Sequence, residues 1–169
     1  MSAPPQSTLM EFILYNNWAN QQVLQACRNL SEEQLEAVIP GAYGTVRSTL
    51  EHIIRAEEWY VSLLTGSSPE AAFQWEPRPA LAEVAAYATQ VGEALLAAAE
   101  HVPPTTRVVE EADGKQFYYQ ALAVFIQIIN HGVEHRTNIT TILNQGSQPP
   151  PKVDGWGYMD THFDRFEVK

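Results

Sequence analysis

QALAVFIQIINHGVEHRTNITTILNQGSQPPP, Gln120 to Pro151, is the stretch from which the fold can be read. Val124, Ile128, His131, His135, Ile139 and Ile142 recur at intervals of three and four residues, so they line one face of a helix. The spacing predicts a helix over about 120–144, stopped by Gly146 and by Pro149, Pro150 and Pro151, which have no N–H to donate to a further turn. Both imidazoles lie on the apolar stripe and are therefore expected to face a core.

The same periodicity recurs upstream. From about Leu9 to Leu30, Phe12, Tyr15, Trp18, Ala19, Val23, Ala26 and Leu30 predict a first long helix with one buried face. Ser31 to Gln34 reads as a capping box opening a short extra helix, which Pro40 and Gly41 stop. A second long helix is expected from Thr45 to Thr65, with Leu50, Ile53, Ile54, Trp59, Leu63 and Leu64 as its apolar residues and Gly66 as its cap. After a loop rich in proline and aromatic residues (Ser67 to Pro79), the alanine-rich segment from Ala80 to about Glu100 predicts a third, ending before Pro103 and Pro104. Asp113-Gly114, between segments able to extend, suits a small hairpin over Val108 to Tyr118, with an irregular loop as the alternative. The tail from Lys152 carries Trp156, Tyr158, Phe163 and Phe166 and is expected to pack along the helices. Four long amphipathic helices imply an all-α four-helix bundle forming one domain over residues 1–169.

Composition narrows the function classes. With 45% apolar and 18% charged residues the chain has enough apolar material for a core. Twenty acidic against 10 basic residues leave a net charge of −10, which repels phosphate backbones and anionic lipids, so neither nucleic acid nor a membrane is an expected partner. The most apolar run, Ala121 to Ile129, is interrupted by Gln127 and far shorter than the ~20 residues a membrane span needs. Met1 to Thr8 shows no secretory pattern, and Cys27, the single cysteine, forms no disulfide within the chain, so a reducing cytoplasm is the expected setting. Beside Arg28 alone, Cys27 reads as a packing residue.

His131 and His135 stand one helical turn apart, and His52 shares a stripe with Ser48, Ala56, Trp59 and Leu63 on another helix. Three inward imidazoles that meet at one point would suit a divalent cation and leave a coordination position open. The donor set fits Zn²⁺ or Ni²⁺ and admits Fe²⁺, Co²⁺ or Mn²⁺. Against this stands the ordinary reading: a helical histidine pair is more often hydrogen-bonded core or surface, and His52 could serve a backbone carbonyl. His101 at a helix end and His162 in the tail are expected in solvent. Glu57, Glu58 and Glu134 could orient an imidazole, but are expected on exposed charged faces; Trp18, Trp59 and Phe125 are expected in the core. Glycine-rich phosphate loop, nucleophile elbow and zincin motif are all missing from the sequence.

Three motifs carry a resemblance. Asn17-Trp18-Ala19-Asn20, the Gly41-x-x-Gly44-x-x-Arg47-x-x-Leu50-x-His52 approach, and His131-x-x-x-His135-Arg136 followed by Gly, Pro and Asp as far as Asp154 resemble the DinB superfamily of bacterial helical-bundle proteins (DinB/YfiT-like). The resemblance implies that His52, His131 and His135 are metal ligands. It further implies a kinship with transferases in which the metal holds the sulfur of a low-molecular-weight thiol such as bacillithiol or mycothiol, together with homodimers formed through helix faces. A small-molecule substrate is thus expected, with metal-dependent hydrolysis and a non-catalytic metal-binding stress-response module as alternatives.

Overall fold

The computed structural model describes residues 7–67 and 73–168, so parts of the expected N-terminal stretch and of the Ser67–Pro79 loop lie outside the described residues. In chain order the elements are α1 (Thr8–Cys27), α2 (Glu32–Leu35), α3 (Val46–Thr65), α4 (Leu81–His101), β1 (Arg107–Ala112), β2 (Lys115–Gln120), α5 (Ala121–Gln145), α6 (Gly155–Thr161) and α7 (Phe163–Phe166). The chain is mostly helical, with a small two-stranded sheet. Among the described residues no helix is long and apolar enough to cross a membrane.

Local chemistry sets the boundaries. Ser7 and Thr45 accept from the free N–H groups of Met10 and Ser48 and start α1 and α3. Ser31 and Gln34 form the expected capping box on α2, and Gly66, at φ +75, closes α3 in the left-handed conformation that glycine tolerates. The 107–120 segment is the hairpin and not the irregular loop: Asp113 and Gly114 both take positive φ, 52 and 69, the pattern of a two-residue turn whose twist matches the strands. The turn leading into β1 also starts α5. Gln120 gives no side-chain cap, and instead the N–H groups of Ala121 and Leu122 donate to the carbonyls of Thr106 and Pro104, at 2.8 Å each. At the other end of α5, Gly146 caps at φ −78 and Ser147 takes the positive φ of 59.

α1 and α3 each pack against both α4 and α5. Ile13, Val23 and Leu24 from α1, Ile53, Ile54 and Val61 from α3, Val84, Tyr87, Val91 and Leu95 from α4, and Val124, Phe125, Ile128 and Ile139 from α5 make one apolar core. Three sequence expectations fail here. Phe12 and Trp59 are 53% and 46% exposed, and Trp156 in the tail is 74% exposed, with Tyr158 the tail residue that buries its ring. On α1 the buried face is shifted from the expected stripe and carries Asn16 and Asn20 beside Ile13, Ala19, Val23 and Cys27.

The shift on α1 follows from a polar cluster inside the core. Glu57, 1% exposed, accepts from the Nδ2 groups of Asn16 (2.7 Å) and Asn20 (2.8 Å) on the same oxygen, Oε1. Arg136, equally buried, donates through Nη1 to the Oδ1 atoms of Asn16 (2.8 Å) and Asn20 (2.6 Å). Two amides thus bridge a carboxylate on α3 and a guanidinium on α5. Burial pushes the Glu57 carboxyl up, against the amide bonds from Asn16 and Asn20 and the charge of Arg136, and pushes the Arg136 guanidinium down, against the charge of Glu57 and the contact with Tyr15. Glu57 is therefore not on an exposed face, as its sequence position suggested. Gly132 makes room for the cluster: a Cβ there would lie 2.5 Å from Asn16 Oδ1 and 2.6 Å from Arg136 Nη1.

Glu57→Leu is expected to cost about 3–5 kcal/mol of stability, because it leaves Arg136 buried without a countercharge; adding Arg136→Met should recover most of the loss. Urea unfolding of both variants checks this, and a double variant no more stable than the single one contradicts the pairing.

Candidate metal centre

α5 presents His131 and His135 on its buried stripe, in line with Val124, Ile128, Ile139 and Ile142, all of them buried as the spacing predicted. Their residue exposures are 9% and 6%. His52, on the facing side of α3, is half-buried and belongs to the edge of the core together with Ser48, Ala56 and Leu63. The three rings meet: their centroids lie 4.3 Å (His131–His135), 4.7 Å (His52–His135) and 4.9 Å (His52–His131) apart. One nitrogen from each can be chosen so that all three lie within 4.8 Å of one another.

These rings are not satisfied by ordinary hydrogen bonding. His52 Nε2 and His131 Nε2 approach to 2.9 Å, a contact in which only one of the two can carry the proton. Nδ1 of His131 and Nδ1 of His135 are shut off from solvent with no hydrogen-bond partner among the described residues. Buried polar atoms normally have partners, so this group has a polar demand that the chain itself leaves unmet. A divalent cation answers the close Nε2 contact: two nitrogens at about 2.0–2.1 Å from a tetrahedral ion lie roughly 3.3 Å from each other, a few tenths of an ångström from the 2.9 Å spacing of His52 and His131.

The electrostatics favour the same ion. Burial, then the neighbouring His135, His52 and Arg136 charges, push His131 down to about 4. Burial also lowers His52, and burial followed by His52 lowers His135, against the pull of Glu134. All three are then neutral at pH 7, the form whose lone pair a metal needs.

Two residues missed in the sequence complete the surroundings. Tyr43, in the loop before α3, stacks on His52 at 4.4 Å, sets its edge against His135 at 4.5 Å, and brings its hydroxyl to 3.1 Å from His52 Nδ1. Tyr60 meets His131 edge-on at 5.8 Å. Neither has a sequence signal beyond lying near His52, since a loop tyrosine and a core tyrosine are common. The remaining candidates lie elsewhere. Arg136 turns to the asparagines, Asp154 caps α6 by accepting from Gly157 N at 2.7 Å, and Asn138 donates to the Glu134 carbonyl at 3.0 Å. Glu58 accepts from the Trp75 indole at 3.4 Å, and Glu134 is exposed. His101 is exposed as expected, but His162 is not free in solvent: it packs 4.4 Å from the Tyr158 ring and 6.2 Å from that of Trp18, the latter half-buried. Cys27 is fully buried, its thiol pushed up to about 12 by burial, as suits a packing residue.

The depressed His131 has a stability consequence. An unfolded histidine binds its proton near the ordinary 6.5, the folded one only near 4, so between these values the unfolded chain is favoured by protonation. In protein treated with a chelator, stability is expected to hold above pH 7, to fall as the pH drops through 6.5, and to keep falling to about 4; His131→Asn should flatten part of the slope. Thermal unfolding against pH measures it, and a wild-type profile level from pH 7 to 4 refutes the assignment.

A comparison with curated proteins gave no match. The sequence does match the family model described as the DinB family, over residues 1–166. That span takes in all three histidines, the buried polar cluster and the loop that carries Tyr43, and the chain accordingly belongs to the DinB family.

Proposed function

We propose that His52, His131 and His135 hold one divalent transition-metal ion, and that the chain uses it to transfer a low-molecular-weight thiol to a small electrophile. The observation that carries the reading is the donor set: three neutral imidazoles converge from two helices, with no fourth His, Cys, Asp or Glu in the group among the described residues. Three protein ligands and an open position are the usual mark of a reactive site, whereas purely structural sites are closed by a fourth. Nitrogen donors suit Zn²⁺ or Ni²⁺, with Fe²⁺, Co²⁺ or Mn²⁺ sharing the preference.

When bound, such an ion lowers the pKa of a thiol or water in the open position and so supplies a nucleophile near neutral pH. The chain's own part is to keep three lone pairs unprotonated and aimed, and to wall the site with the rings of Tyr43 and Tyr60. Its one thiol cannot take part, since Cys27 is buried and held at about 12. Thiol chemistry here thus calls for an external thiol of the bacillithiol or mycothiol kind. We read the four long helices as a four-helix bundle forming one domain; the packing of α1 and α3 on both α4 and α5 supports this. A cytoplasmic enzyme acting on a small molecule, with helix faces free to pair two copies, fits the same reading.

Purified protein is expected to carry a divalent metal, and His131→Ala to lose most of it; unchanged metal content in that variant removes His131 from the ligand set. Metal-loaded protein should consume a test electrophile only with bacillithiol, mycothiol or glutathione present. Turnover without thiol would instead favour hydrolysis, and metal binding without any turnover a non-catalytic module.

A further inference from the structure

We infer that Tyr43 is a positioning residue for the metal centre, holding the His52 ring so that Nε2, and not Nδ1, faces the point shared with His131 and His135. The inference rests on the metal-binding reading above and adds to it which part of the chain aims the third ligand.

The three imidazoles are held unequally. His131 and His135 are one turn apart on a single helix, and burial on the α5 stripe fixes their rings. His52 stands at the half-buried edge of the core, on a different helix, where less of its ring is enclosed by packing. Turning the ring over exchanges which nitrogen points inward. Tyr43 holds the ring in two ways. Its ring lies nearly parallel to that of His52, at 26° and 4.4 Å between centroids, and its hydroxyl lies 3.1 Å from Nδ1. With Nδ1–H donating to the phenol oxygen, the proton of the neutral imidazole is kept on Nδ1, and Nε2 is left with the lone pair, 2.9 Å from Nε2 of His131. The phenol's own proton is free to point to solvent, on which Tyr43 is 56% exposed.

Tyr43 is itself held by a loop built for the purpose. The α2 helix is tied to α3 by Arg47, which reaches Glu32 at 2.9 Å, and Arg78 bridges Glu36 and Glu51 at 2.8 and 2.9 Å. Val46 N donates to the Ala37 carbonyl at 3.2 Å and Ala42 N to that of Ile39 at 3.1 Å, pinning both ends of the turn. Gly41, at φ +85, makes the turn that brings Tyr43 back over α3. The edge contact of the same ring with His135, at 4.5 Å and 79°, means that Tyr43 touches a ligand from each helix.

Tyr43→Phe keeps the stacked ring and deletes the hydroxyl. It is expected to weaken Zn²⁺ binding about 10-fold or more, the usual effect of removing the group that orients a ligating histidine, with an unchanged melting temperature of the chelator-treated protein. Zn²⁺ titration against a competing dye reads the affinity. Long-range ¹H–¹⁵N spectra of the chelator-treated protein read the tautomer: His52 should be protonated on Nδ1 in the wild type and lose that preference in Tyr43→Phe. An affinity within two-fold of the wild type, or a wild-type His52 protonated on Nε2, overturns the inference. Should the wild type bind neither Zn²⁺ nor Ni²⁺, the metal reading fails by itself, and the tautomer spectra still decide what Tyr43 does.

Discussion

A carboxylate and a guanidinium sealed in an apolar core would each be costly alone, and Glu57 and Arg136 are tolerated because two asparagines join them. Asn16 and Asn20 are one turn apart on α1, and each presents its amide N–H to the acid and its carbonyl to the base. The cluster can close in one arrangement only. A slide of α3 or α5 by one turn would strand a buried charge, so the polar contacts fix the register of helices whose apolar faces alone would tolerate several. Gly132 is the local condition for this arrangement, leaving the space into which the Arg136 and Asn16 side chains come close to α5.

That register also governs the three-histidine group. Arg136 follows His135 directly, and Glu57 lies on the same helix as His52, so the contacts that lock α3 to α5 also set how near His52 comes to His131. The chain puts its charges and its neutral donors in separate places. Charge is gathered at the cluster, while burial lowers all three imidazoles, helped at His131 by the neighbouring histidines and Arg136. The sole thiol is shut into the core. What is left open to a reagent is the ring of histidines, walled by Tyr43 and Tyr60.

Much of the site was legible before any coordinates. Two histidines on an apolar stripe had to face inward, and the motifs around His52 and His131 pointed to the family that the comparison with family models found. The polar cluster was not legible, because helical periodicity treats Asn and Glu as surface residues and counts Phe12 and Trp59 as core. The structure reverses these assignments: both aromatics are substantially exposed, while Asn16, Asn20 and Glu57 are buried. Here mutual hydrogen bonding outweighs side-chain hydropathy, and partners 37 to 120 residues apart leave no local pattern. His162 was misplaced for a related reason, since its burial comes from aromatic neighbours on α1 and α6 that lie together only in the fold.

By itself the sequence determined the four long helices, the short α2 and the inward direction of the α5 histidines, because periodicity, caps and turn residues act over a few neighbouring positions; the tail helices α6 and α7 gave no such signal. The hairpin belongs partly here: Asp113-Gly114 made the turn available, and pairing of Arg107–Ala112 with Lys115–Gln120 decided it. Tertiary structure alone decided that His52 reaches the other two rings, that Tyr43 lies over it, and that a carboxylate and a guanidinium bridged by two amides are sealed inside the helices. Those facts depend on distances between segments far apart in the chain, and such distances are set by packing.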